Sequence, residues 1–183
     1  MIAIMSESIY SIVAESARAA RTLARDAFLF HQGDAVASVF VVAAGSVELT
    51  RFQSEGAPLI LQRAGPGSFL AEASVHSAAY HCAAVAAEPS SVFEMNRDAF
   101  LELLATRPDA ALAWSRHLAS AVQSARYRAE ILALKTVAER LDGWLAWNGD
   151  ALPARGKWKD LAHEIGVSPE ALYRELAKRG RRA

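Results

Sequence analysis

With 183 residues, 52% of them hydrophobic and 22% charged, the chain can bury one large or two small cores and has a globular rather than a disordered composition. Its 20 Lys plus Arg balance 20 Asp plus Glu, which argues against general nucleic-acid or membrane stickiness and requires any basic surface to be local. The one cysteine, Cys82, excludes an internal disulfide and multi-cysteine metal motifs. No uncharged apolar run reaches bilayer length, and acids and arginines stand within Met1–Asp26 where a signal peptide would be apolar. A cytoplasmic protein is expected, with no membrane partner, no metal and no cofactor.

Residues Ser6 to Arg25 read as one or two amphipathic helices, with Ile9, Ile12, Val13 and Ala17 on one face and Glu7, Glu15 and Arg18 mostly off it. From Ala27 the pattern changes to short β-rich runs: Phe28–His31, Val39–Val42, Val47–Phe52, Leu59–Arg63, Tyr80–Ala86 and Ser91–Met95. Gly33-Asp34, Ala44-Gly45, Glu55-Gly56 and Gly65-Pro66-Gly67 punctuate them as turns. Strands this short and evenly spaced predict a double-sheet jelly roll. With its N-terminal helix it is expected to form one domain over residues 1–108.

Asn96 to Thr106 is predicted as a short helix capped by Asn96 and halted before Pro108. Asp109 opens a longer helix to about Ala133, in which Ala111, Trp114, Leu118, Ala121 or Val122, Ala125 and Leu132 follow a seam of about 3.5 residues. Such a seam pairs either with its twin in a two-fold dimer or with the chain's own β domain. The reading adopted is a homodimer through residues 109–134. Thr136 to Trp147 is a further helix, with Val137, Leu141, Trp144 and Leu145 inward, closed by Asn148-Gly149-Asp150.

The last segment, residues 135–183, ends in a helical pair around a tight turn. Trp158, Leu161, Ala162 and Ile165 share one side of the first helix. Gly166 supplies a positive-φ stop, Val167 fills the corner, Ser168 is a natural N-cap and Pro169 suits the first helical position. Leu172 and Leu176 face the core and leave Glu170, Tyr173, Arg174 and Ala177 outward. This is the helix-turn-helix plan, whose second helix enters the major groove. From Arg155 onward eight Lys or Arg stand against four Asp or Glu, a local excess suited to phosphates, so double-stranded DNA is the expected partner. The plainer alternative is a helical hairpin in which Glu170 and Arg174 form a surface pair.

The order of Gly33, Gly45 and Gly67, the segment Gly67-Ser68-Phe69-Leu70-Ala71-Glu72 and the run Gly166-Val-Ser-Pro-Glu-Ala-Leu-Tyr-Arg174 resembles the cyclic-AMP receptor/fumarate-nitrate regulator family of bacterial transcription factors, from about Ala27 to Lys178. The resemblance implies an α+β chain: a cyclic-nucleotide-binding-like double-stranded β-helix, a long dimerisation helix and a C-terminal helix-turn-helix. It also implies an effector pocket at Ala71, Glu72, His81, Cys82, Ala125 and Arg126, with Glu72 matching the acid that takes a ribose hydroxyl. Where family members carry Arg followed by Ser or Thr for the phosphate, this chain has His81 and Cys82, and a largely neutral imidazole is no substitute for a guanidinium fork. Ala125 and Arg126 stand where purine-facing polar residues would be. The implied effector is therefore an unknown small molecule other than cyclic AMP.

His81, Cys82 and His76 could in principle hold haem iron or another metal, but adjacent strand residues point to opposite faces and a lone cysteine among alanines is a small buried hydrophobe. An acid/base pair of Glu72 and His81 would lack a nucleophile, so no enzyme is expected. In the reading helix, Glu170 and Arg174 match the family's base-reading Glu and Arg, Pro169 replaces its first Arg, and Tyr173 could touch a thymine methyl or a phosphate. Lys157, Lys159, Lys178 and Arg179 are phosphate contacts, with Ser168 capping the helix beside them. The sequence stops at Gly180-Arg181-Arg182-Ala183, where the family continues into a β wing, so a helix-turn-helix lacking a complete wing is expected. A sensory or protein-interaction module with degenerate DNA binding is the alternative reading.

Overall fold

The computed structural model describes residues 8–17, 20–52, 58–70 and 72–180. The chain forms two compact units that divide between Leu118 and Ala119.

The first unit opens with α1 (Ile9–Ser16), whose N-cap Ser8 accepts a hydrogen bond from the Ser11 N–H. The strands β1 (Ala20–Leu23), β2 (Phe28–Phe30), β3 (Ser38–Ala44), β4 (Val47–Phe52), β5 (Pro58–Ala64), β6 (Phe69–Leu70), β7 (Ala83–Ala86) and β8 (Ser90–Asn96) follow. They form two four-stranded antiparallel sheets, in the orders β1-β8-β3-β6 and β2-β7-β4-β5. The α+β architecture with a jelly roll is as expected.

Residues 20–23 correct the helical reading of Ser6–Arg25. They pair with β8 from Ala20↔Phe93 to Leu23↔Ser90. Only Leu23 of the four is buried, so the strand rests on ladder hydrogen bonds rather than on apolar periodicity, and tertiary pairing overrides local propensity.

β3 explains how the sheets and helices share one chain. Its residues Val39 to Val42 are all buried. Phe40 and Val42 enter the core between the sheets with Leu29, Phe30, Val47, Leu49, Leu70, Ala84 and Val92. Val39 and Val41 point the other way and meet α1, Phe100 of α2 (Arg97–Thr106) and Trp114 of α3 (Pro108–Ala133). Strand alternation thus supplies two cores from one apolar run. Phe69 and Leu70 of β6 split in the same manner.

The β3–β4 hairpin turns at Gly45, with φ +81°. A Cβ there would lie 2.3 Å from the Ser90 hydroxyl oxygen, which also accepts from the Ser46 N–H at 3.0 Å, so only glycine fits.

The second unit holds the end of α3, then α4 (Val137–Trp147), α5 (Trp158–Glu164) and α6 (Pro169–Gly180). Thr136 and Glu139 close a reciprocal capping box that starts α4 at once. Ile131, Leu141, Trp144, Leu161, Ala162, Ile165 and Leu172 make the core. No helix among the described residues is long and apolar enough to cross a membrane.

The predicted seam of α3 needs revision. Trp114 and Leu118 pack into the unit's own core with Phe69 and Phe100. The exposed residues that recur at three- and four-residue steps are Leu112, Ser115, Ala119, Val122, Arg126, Ala129 and Ala133. Two seams at helical spacing run along one helix, and the larger side chain, Trp114, decides which one the β-roll takes.

Candidate functional site

Two constellations bear on function, one in each unit. In the β-roll, Gly67 takes φ +84° and its N–H donates to the Val42 carbonyl at 2.9 Å, placing β6 against β3. Beyond β6 the chain enters a 3₁₀ turn, Glu72–Ser74. Ala71 lies outside the described residues. Glu72 Oε2 is buried with no hydrogen-bond partner among the described residues. Burial pushes its carboxyl above the usual carboxylate value, partly offset by its own backbone N–H. A buried acceptor of this kind can be met by a water or by a ligand donor.

His81 is exposed while Cys82 is buried in the inter-sheet core, so the two side chains diverge. His81 Nδ1 lies 2.8 Å from the hydroxyl of buried Ser74, which fixes the strand entry against the 3₁₀ turn. From the end of β4, Arg51 donates to the His81 carbonyl at 3.2 Å. Burial raises the Cys82 thiol, opposed by the charge of Arg51 and reinforced by that of Glu72. A fixed cation and a buried carboxyl therefore flank the cysteine. Arg97 Nε donates to the Val75 carbonyl at 2.8 Å and holds the far side of the turn. Among the described residues no three His, Cys, Asp or Glu gather closely enough to hold a metal ion. Ala125 and Arg126 belong to the other unit and are exposed on α3.

In the second unit, Gly166 ends α5 with φ +66°. A Cβ there would come within 2.5 Å of Leu132 Cδ2. The Ser168 hydroxyl accepts from the Ala171 N–H at 3.2 Å and caps α6, with Pro169 as its first residue. Leu172 is fully buried, while Glu170, Tyr173, Arg174, Ala177 and Lys178 are exposed along the opposite side. Lys157 and Lys159 are exposed at the start of α5. Tyr173 stands 5.9 Å from Trp158 between ring centroids, and Arg155 lies over the same indole. Glu170 is held below the usual carboxylate value by its own backbone N–H and by the Ser168 hydroxyl, with smaller contributions from Arg174 and Lys159. Arg179 is engaged at home: its guanidinium donates to Asp142 at 2.6 Å, Glu175 at 2.9 Å and the Ala138 carbonyl at 3.2 Å.

Residues 20–107 match the cyclic nucleotide-binding domain family. The β-roll is a cyclic nucleotide-binding domain. Over the whole chain the fold is that of the cyclic-AMP receptor/fumarate-nitrate type of regulator. FixK2 from Bradyrhizobium japonicum is 20% identical, with 90% of this chain and 85% of that one covered at a TM-score of 0.72. CLP from Xanthomonas campestris, a c-di-GMP responsive global regulator, is also 20% identical, with 94% and 91% covered at 0.67. The sensor domain of the regulator DNR from Pseudomonas aeruginosa is 26% identical, with 65% and 77% covered at 0.51. No curated protein matches the chain.

In this cyclic nucleotide-binding domain, sequence reasoning names Glu72, His81 and Cys82 as candidates, and the structure places Arg51 and Ser74, which it did not name, against His81. Arg51 ends an alternating strand and would pass for a solvated charge. Only the β4–β7 pairing, Thr50↔Ala83, carries it to His81. A register shift between Leu49 and Thr50 contributes, because it lets both be buried and leaves Arg51 and Phe52 exposed at the strand's end.

Proposed function

We propose that the chain is a homodimeric, DNA-binding transcription regulator whose cyclic nucleotide-binding domain takes an effector other than cyclic AMP. The observation that carries the reading is the outward side of α6. Glu170, Tyr173, Arg174 and Lys178 stand exposed on a helix whose other side is anchored by buried Leu172. Arg174 can grip guanine O6 and N7, and Glu170 can accept from cytosine N4. Lys157, Lys159 and Lys178 supply charge for phosphates, and Ser168 with Pro169 sets where the helix begins.

The exposed stripe of α3 from Leu112 to Ala133 is the dimer surface. Its two large apolar members, Leu112 and Val122, are 52% and 48% exposed, and its small neighbours allow close helix approach. In the pocket, the buried Oε2 of Glu72 takes a hydroxyl or amine donor from the effector. Arg51 offers the permanent cation that neither His81 nor Cys82 can provide. CLP, a neighbour by fold, responds to c-di-GMP, which supports effectors other than cyclic AMP on this architecture. Effector binding shifts the population between dimer arrangements that differ in how they present α6.

The test is selection from a random duplex pool, followed by fluorescence anisotropy on the winning sequence. A specific regulator enriches a sequence with two half-sites and loses affinity steeply as salt rises, through several phosphate contacts. No enrichment and a flat salt response would leave the protein-interaction reading in its place.

A further inference from the structure

We propose that Arg140 is a positioning residue that bolts the turn of the helix-turn-helix onto the end of α3, so that the α3–α4 joint is a rigid link rather than a hinge. The consequence for regulation rests on the DNA-reading role proposed above; the bolt itself does not.

Arg140 lies on α4 and spends its guanidinium on four backbone carbonyls. Nε donates to Leu134 at 2.9 Å and Nη2 to Leu132 at 3.1 Å, both at the end of α3. Nη1 donates to Ile165 at 3.2 Å and Gly166 at 2.8 Å, both at the end of α5. These are the orphan acceptors that helices leave at their C-termini, where the partial negative charge of the helix dipole also collects. Two helix ends that would repel are joined by one cation. A planar fork with donors on separate edges can face both at once, whereas an ammonium on a single stem cannot.

Other contacts hold the same junction. Gly166 brings the turn so close to Leu132 that a Cβ there would lie 2.5 Å from its Cδ2. Tyr127 donates from its hydroxyl to the Gly143 carbonyl, and its ring stacks on Trp147 with centroids 4.3 Å apart. Ile131 of α3 is part of the helix-turn-helix core. The capping box at Thr136 starts α4 with no slack after α3. The last two turns of α3 therefore belong to the reading unit, in keeping with a division of the chain inside α3 rather than at its end. A twist or shift that reaches Tyr127 is delivered to α6 without loss at residues 134–136.

The experiment is amide hydrogen exchange on the full chain, comparing wild type with Arg140→Ala and Arg140→Lys, together with duplex binding. The expected result in both variants is exchange at least tenfold faster at residues 132–136 and 164–168 together, with the amides around Leu141 near wild type. Preference for the duplex selected by wild type over a scrambled duplex should fall about tenfold, while affinity for the scrambled duplex and its salt dependence hold. Unchanged exchange, or acceleration in one segment alone, overturns the bolt. If Arg140→Ala loses its helical circular dichroism, Arg140→Lys decides by the same criterion. A wild-type protein with no duplex preference would defeat the DNA-reading role and leave the exchange result to judge Arg140 on its own.

Discussion

Glu72 in the β-roll and Glu170 on α6, the proposed reading helix, carry the same carboxyl group in opposite surroundings. Glu72 Oε2 is buried with no partner among the described residues, and burial raises its pKa. Glu170 stands in water at a helix start, and its own N–H and Ser168 lower its pKa. The β-roll keeps a polar group in deficit, which a ligand can satisfy. The helical unit leaves the buried Trp144 Nε1 without a partner among the described residues, but it caps its helix ends through Ser168, Thr136 and Arg140 and leaves the outward side of α6 exposed. A sensing site gains from an unmet demand, because the bound state then differs most from the free one. A reading site gains from fixed geometry, because base contacts reward placement.

The largest effect should come from breaking the reading side. Arg174→Ala removes the proposed bidentate grip on guanine and should cost about 1–3 kcal/mol of discrimination, or roughly ten- to hundredfold. Competition anisotropy against a duplex changed at that one base pair reads it directly, with the dimer intact by sedimentation. Equal loss on both duplexes would move Arg174 to the phosphate contacts.

Next in size is the proposed dimer stripe, where Arg126 is the one charged residue between Ala119, Val122, Ala129 and Ala133. Across a parallel two-fold axis it meets its own copy, and a charge at such a position costs stability while setting register. Arg126→Leu should tighten self-association about tenfold, roughly 1.4 kcal/mol, measured by sedimentation equilibrium. Weaker association in that variant would mean that Arg126 has an anionic partner in the dimer.

The two glutamates sharpen the comparison through pH. A carboxyl with a raised folded pKa contributes stability that is complete below the ordinary value of 4.5 and lost as pH rises through the folded value. Glu72→Gln should therefore raise Tm at neutral pH, by a free energy on the order of 1 kcal/mol, with a gap that closes on acidification toward pH 4. For Glu170 the sign reverses. Its folded pKa lies below the ordinary 4.5, so its stability is present above that value and lost as pH falls through the folded one. Glu170→Gln should lower Tm slightly at pH 7, and that gap too should close in acid. Thermal melts from pH 8 down to about pH 2 decide; two gaps of the same sign would break the contrast.

The same contrast governs what a reader of the sequence can see. The helix-turn-helix is legible because its determinants are local: Gly166, Ser168, Pro169 and Leu172 act within one turn of where they stand. The strand at Val47–Phe52 is legible because burial alternates until Leu49. β1 is not, since only Leu23 of its four residues is buried and its partner is some seventy residues away, which pairing alone reveals. Arg51 is hidden for the same reason, since the β4–β7 pairing carries it to His81, whereas Ser74 is hidden because its 3₁₀ turn folds it back onto His81 seven residues later. Arg140 is hidden for another: its four acceptors are backbone carbonyls, which every residue carries, so no pattern of side chains announces them. The β-roll places its site by register and the helical unit by capping, and only the second leaves a signature in sequence order.

The smallest effect tests two adjacent cations that the sequence alone treats alike. Lys178 is exposed with no hydrogen-bond or ion-pair partner among the described residues, whereas Arg179 is bound to Asp142 and Glu175. A lysine free to meet a phosphate adds affinity without sequence choice. Lys178→Ala should weaken binding to every duplex by a similar few-fold factor and lower the salt slope by about 1, with Tm unchanged. Arg179→Ala removes no free cation from the surface. It unties α6 from α4 and should lower Tm while leaving the salt slope within error of wild type. Anisotropy titrations at several salt concentrations, run beside thermal melts, separate the two. A lowered salt slope in Arg179→Ala would show that the guanidinium leaves Asp142 for DNA, and the line between scaffold and reading groups would then have to be redrawn one residue further along α6.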